Sequence, residues 1–112
     1  MISSFEFNDD VIFRNIEKQG YTAINDKTVE ELAELIQAIQ KYRQCIREIP
    51  NVDKMVLKKY RDNLHEELAD VYIVLENTKL VFNVFNADIQ NVIIEKKERQ
   101  AKRIAGELPY VD

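Results

Sequence analysis

Apolar residues recur along this chain at intervals of three and four over four stretches, the spacing that lines one side of an α-helix. Val11, Ile12 and Ile16 mark the first, from about Asn8 to Lys18, and Gly20 lies just past its end as a stop signal. Asn25 and Asp26 offer side-chain acceptors to the free amides of a second helix, from about Lys27 to Glu48, which Pro50 closes. Asp53 is placed to cap a third, from about Lys54 to Phe82, and Asn83 to Asn86 separate it from a fourth, from about Ala87 to Ile104. The pattern predicts an all-α, four-helix bundle-like fold in a single domain over residues 1–112. No internal repeat, low-complexity tract or linker interrupts it.

Each helical residue advances about 100°, so the second helix can be drawn as a wheel with Glu30 at zero. Leu32, Leu35, Ile36, Ile39, Tyr42 and Ile46 then gather within about 120° to 240° and form the expected core stripe. Glu31, near about 100°, and Glu34, near about 40°, lie along one border of that stripe. On the third helix, with Glu67 at zero, Leu64, Val71, Val74, Leu75 and Thr78 fall between about 340° and 80°. Glu67 is thus inside an apolar stripe, and Asp70, near about 300°, is at its edge. A carboxylate facing a core is costly unless it is paired, protonated or bound to a metal. Glu66 and Glu76 fall outside the stripe and are expected in solvent.

Composition narrows the function classes. A formal charge of −4 speaks against general nucleic-acid binding, whose affinity comes largely from Lys and Arg on phosphates. No stretch approaches the roughly twenty apolar residues of a membrane span. The N-terminus lacks a basic segment followed by an apolar run, so no secretory leader is expected. The single cysteine, Cys45, cannot form an internal disulfide and reads as an ordinary helix residue, in keeping with a cytoplasmic protein.

Two helices each bring carboxylates at i and i+3: Glu31-Leu32-Ala33-Glu34 and Glu67-Leu68-Ala69-Asp70. One such pair is common in any Glu-rich helix. Two pairs, each bordering or entering an apolar stripe, describe four hard oxygen donors of the kind Mg²⁺ favours. The runs Glu30-Glu31-Leu32-Ala33-Glu34-Leu35 and Glu67-Leu68-Ala69-Asp70-Val71 resemble the EExxE…ExxD signature of the MazG-like all-α nucleoside triphosphate pyrophosphohydrolases, a superfamily that includes dimeric dUTPases and dCTP pyrophosphatases. The likeness runs from about Lys27 to Arg103. It implies a MazG-type bundle in which Glu31, Glu34, Glu67 and Asp70 bind Mg²⁺, with Mn²⁺ as a substitute, and Glu30 is auxiliary. The interval between Glu34 and Glu67 is longer than the family's usual one, which implies longer helices or an enlarged loop around Pro50.

The fourth helix turns from apolar (Ile89, Val92, Ile93) to basic (Lys96, Arg99, Arg103) along one side. By the same resemblance Lys96, Arg99 and Arg103 contact the triphosphate; the competing reading is a solvated basic turn favoured by the helix dipole. Lys41 is a weaker candidate of the same kind, better read as surface. His65 falls on the side of the third helix away from Glu67 and is also read as surface. Tyr21, Tyr42, Tyr60 and Tyr72 are as suited to packing as to stacking on a base.

The resemblance implies hydrolysis of a (d)NTP to the monophosphate and pyrophosphate, with Glu31 or Glu34 taking the proton of the attacking water, as nucleotide-pool housecleaning. It also implies a homodimer or homotetramer, which a thin core in so short a chain favours independently. No nucleic-acid or membrane partner is expected. Two other classes compete. A di-iron site would need Glu-x-x-His on two helices, and the chain has one histidine. A non-catalytic helical adaptor or regulatory subunit that keeps the fold is the alternative that activity measurements must exclude.

Overall fold

A computed structural model describes residues 9–109, all of whose regular structure is helical. The elements are α1 (Asp9–Gln19), α2 (Tyr21–Arg47), α3 (Lys54–Val81) and α4 (Asn86–Ile104). Among the described residues, no helix is long and apolar enough to cross a membrane. The chain divides into two compact units, one ending at Phe82 and the other starting at Asn83.

In the first unit, α2 and α3 pack along each other. The hydroxyls of Thr28 and Thr78 meet at 3.2 Å, and Arg61 Nε donates to the Tyr42 hydroxyl at 3.2 Å. These contacts join the start of α2 to the end of α3 and the later part of α2 to the earlier part of α3, so the two run antiparallel. Helix α1 folds onto one end of the pair, where Ile12, Ile16 and Ile24 form a buried cluster with Leu80 and Val81 against it.

The start of α2 differs from the sequence expectation. It begins at Tyr21, and Asn25 and Asp26 lie inside the helix rather than capping it. Gly20 has φ 83°, a left-handed conformation open to glycine at little cost, and there it both ends α1 and starts α2. Its N–H donates to the Ile16 carbonyl at 2.8 Å and its carbonyl accepts from Ile24 at 3.3 Å. Burial of Ile24 outweighs the weak helix preference of Asn25 and Asp26. Helix α3 starts as expected, with Asp53 Oδ1 accepting from the Met55 N–H at 2.7 Å.

The face that α2 buries also differs. Ile24, Thr28, Glu31, Ala38 and Cys45 are buried, whereas four members of the expected core stripe, Leu32, Ile36, Ile39 and Ile46, are 39%, 62%, 45% and 48% exposed. Leu35 and Tyr42 are half-buried. The reason is steric and topological. Thr28, Ala38 and Cys45 are small and let α3 approach closely, and a pair of long helices covers one side of each partner only. The α3 face follows the wheel better: Val71 and Val74 are buried, with Asn77 joining them. Glu76, expected in solvent, is instead largely shielded and ion-paired with Lys79.

In the second unit, α4 follows Asn83, whose φ of 54° breaks the chain direction. It ends in a Schellman motif: the N–H of Glu107 donates to the Lys102 carbonyl at 2.8 Å and that of Gly106 to the Arg103 carbonyl at 3.1 Å. Ile89 and Ile93 are half-buried, and Lys96 and Arg99 are exposed.

Candidate metal centre

Register on α2 decides where its acids go. Glu31 follows Thr28 by three residues and precedes Ala38 by seven, so it shares their buried face and is 5% exposed. On α3, Glu67 stands four residues before Val71 and is half-buried, while Asp70 at the edge is exposed. Carboxylate oxygens of Glu31, Glu67 and Asp70, one from each, all lie within 4.8 Å of one another. Asp70 gives the group a side open to solvent.

Two of the three acids are short of partners. Glu31 Oε1 accepts from Lys27 Nζ at 2.8 Å, a contact made from the same helix one turn earlier. Lys27 also reaches Glu30 at 3.6 Å. Glu31 Oε2 and Glu67 Oε2 are buried with no hydrogen-bond partner. A buried carboxylate oxygen without a donor costs more than a made hydrogen bond gains, and the three acids together form a group that could hold a cation.

Glu34 stands outside the three-oxygen group but inside its field. Its pKa is raised above the ordinary carboxylate value, first by the negative charge of Glu31, then by burial, then by the charges of Glu67 and Glu30. Lys27 is shifted upward chiefly by its hydrogen bond to Glu31, opposed by burial. Lys27 is thus the ammonium that the structure pairs with Glu30 and Glu31. The structure brings together three of the four expected metal-binding residues and keeps Glu34 beside them.

All donors are carboxylate oxygens, a set suited to hard cations such as Mg²⁺, Mn²⁺ or Ca²⁺ and ill suited to soft ones. His65 is exposed and forms no part of the group, and Cys45 is buried further along α2.

No family profile, curated protein or solved structure matches this chain.

The remaining candidates divide by location. Arg103, in the second unit, donates from Nε to the Pro109 carbonyl at 2.9 Å and so holds the segment after α4. Lys96 and Arg99 are exposed on the same helix. Lys41 lines a shallow cleft with Gln44, Cys45, Glu48 and Tyr60, on the stretch of α2 beyond the acids. Sequence reading missed Lys27. The signal was present, since a Lys four residues before a Glu is a helical ion pair, but that pattern is too common in polar helices to single out one instance.

Proposed function

We propose that this chain is a divalent-cation-dependent nucleoside triphosphate pyrophosphohydrolase of MazG type, converting a (d)NTP to its monophosphate and pyrophosphate. One observation carries the reading: Glu31 and Glu67, each with a buried carboxylate oxygen that has no partner, gather with Asp70 on one side of an antiparallel helix pair. The sequence signature adds support because its two acid pairs come from helices that the fold sets against each other.

In this reading Glu31, Glu67 and Asp70 hold Mg²⁺, or Mn²⁺ in its place, with Glu34 as the fourth acid. A cation held there would supply positive charge to the triphosphate and make a nearby water more acidic. The chain's own groups do the rest. Asp70, on the open side, meets the incoming complex, and Glu31 and Glu67 fix the position of the charge. Glu34 or Glu31 accepts the proton as a water oxygen bonds to the α-phosphorus and the bond to the α–β bridging oxygen breaks, leaving pyrophosphate. By the family resemblance alone, Lys96, Arg99 and Arg103 of α4 are the candidates to contact the phosphates. The protein works as a homo-oligomer on the cytoplasmic nucleotide pool.

Incubation with a panel of common and modified nucleotides, in Mg²⁺ or in chelator, followed by ³¹P NMR of the products, tests the proposal. Monophosphate and pyrophosphate, formed only with the divalent ion, are expected. Orthophosphate as the sole inorganic product, or no turnover of any nucleotide, rejects it, and the latter outcome favours a non-catalytic adaptor.

A further inference from the structure

The apolar face that α2 leaves outside the α2–α3 pair has an order of its own. Val29, Leu32, Ile36, Ile39, Arg43 and Ile46 are all exposed and follow one another at steps of three, four, three, four and three. That is the a/d spacing of a coiled-coil seam, and over about 26 Å of helix it exceeds what scattered surface apolar residues require. From this pattern we infer that α2 is a dimerisation helix that receives α2 of a second copy of the chain, antiparallel, across a two-fold axis passing between Gln37 and Ala38. The inference specifies the surface for the self-association in the reading above and is independent of that reading's chemistry.

The seam is complementary to itself only in this orientation. Antiparallel pairing about that axis sets Val29 against Ile46 of the second copy, Leu32 against its Arg43, and Ile36 against its Ile39. Every layer contains at least one large aliphatic residue, and the one charged layer lays the hydrocarbon stem of Arg43 along Leu32. The two Arg43 residues are then about 16 Å apart along the seam. Parallel pairing would instead put both Arg43 side chains in one layer.

Charge along the flanks selects the same arrangement. The exposed acids Asp26 and Glu30 lie on the first part of α2 and the exposed bases Arg43 and Arg47 on the last. Antiparallel pairing brings Asp26 beside Arg47 of the second copy, twice by symmetry, and sets small Ala33 beside Gln40. Parallel pairing would align acid with acid at one end and base with base at the other. A partner without this reversed polarity would gain the apolar contact but lose the flanking pairs.

Sedimentation of the full chain without nucleotide or metal, from micromolar concentration upward, tests the inference. Wild type is expected at twice the 13.2 kDa chain mass. Ile36→Glu should sediment as a monomer with an unchanged helical circular dichroism spectrum, because Ile36 is 62% exposed in the single chain. Asp26→Arg should weaken the dimer by about ten-fold, by replacing two flanking pairs with repulsions. Asp26→Arg combined with Arg47→Asp should restore it. A monomeric wild type, or a dimer indifferent to Ile36→Glu, overturns the inference, and a double variant as weak as Asp26→Arg alone overturns the antiparallel register. An active monomer would remove this dimer and leave the hydrolase reading standing; an inactive protein that dimerises in this way would do the reverse.

Discussion

Lys27 Nζ lies 2.8 Å from Glu31 Oε1, while the other oxygen of the same buried carboxylate has no partner. An exposed ammonium on a flexible stem thus provides counter-charge to an acid that the fold has withdrawn from water. On the proposed reading, that half-satisfied state leaves room for a cation: Lys27 gives enough positive charge to fold and too little to close the site.

Lys27 should therefore compete with the cation. In Lys27→Met the metal-free protein is expected to melt at a lower temperature than wild type, because Glu31 loses its one donor. The same variant should bind Mn²⁺ several-fold more tightly, read by electron paramagnetic resonance of the free ion, and show a larger thermal shift on saturation. Equal Mn²⁺ affinity in the two proteins would mean that Lys27 does not share the cation's place.

Glu67 separates charge from shape. Glu67→Gln keeps nearly the same volume, removes one negative charge from a group that repels itself, and deletes a ligand. Turnover should fall by about 100-fold or more. Melting in chelator should be at least as high as for wild type, and the upward shift with excess Mg²⁺ should be smaller. An active variant, or one with an undiminished magnesium shift, would place the ion elsewhere.

The raised pKa of Glu34 fixes a sign for the pH dependence of stability. An acid whose folded pKa lies above its unfolded value contributes fully below the unfolded value, and that contribution is lost as pH rises through the folded one. In chelator, wild type should lose stability relative to Glu34→Gln as pH climbs out of the carboxylate range towards neutrality, and denaturant melts at a series of pH values measure the difference. Mg²⁺ should remove most of it by neutralising Glu31 and Glu67, the neighbours that cause the shift. Parallel pH curves for the two proteins in chelator would contradict this.

Much of the architecture is legible in the residues, for reasons that can be named. Asp53 is a local capping signal with a local partner, and α3 starts where it says. Glu67 betrays itself because a charge inside the Val71 and Val74 stripe has no other ready explanation. The two misreadings on α2 come from non-local causes. Asn25 and Asp26 are good caps, but Gly20 and the burial of Ile24 carry the helix past them. The apolar wheel selected the face of Leu32, Ile36 and Ile39 as the core because it weighs hydrophobicity alone, whereas close approach to α3 favours the small residues Thr28, Ala38 and Cys45. Glu31 was therefore expected at the border of the core, and it lies within it. The Glu76–Lys79 pair was missed for a related reason, since shielding of an ion pair depends on what packs over it.

The junction of α1, α2 and α3 supplies a test of the scaffold apart from any chemistry. Ile24 is 2% exposed and joins Ile12 and Ile16 to the end of α3 at Leu80 and Val81. Ile24→Ala should cost about 2–4 kcal/mol in a denaturant melt, the range for deleting a buried aliphatic side chain with partial collapse of the cavity. Ile36→Ala on the exposed face, measured at concentrations too low for self-association, should cost far less. Equal losses would show that α2 buries its apolar wheel face after all.

The three candidate bases of α4, Lys96, Arg99 and Arg103, are expected to differ among themselves, although they carry the same formal charge. Arg103 already spends its Nε on the Pro109 carbonyl, so Arg103→Ala should loosen the segment after Gly106, seen as faster amide exchange there, and should also remove a charge. Lys96 and Arg99 are exposed, and their replacement by Ala should leave melting within about 0.5 kcal/mol of wild type. If these two bind the triphosphate as proposed, each variant should raise KM for the nucleotide while Mn²⁺ binding to the protein alone stays unchanged, because the proposed ligands lie on α2 and α3. A contact made equally in the ground and transition states would leave kcat unaltered, and one that strengthens as charge moves to the leaving pyrophosphate would lower kcat as well. Unchanged kcat and KM in the Lys96→Ala, Arg99→Ala double variant would assign both residues to a solvated face of α4.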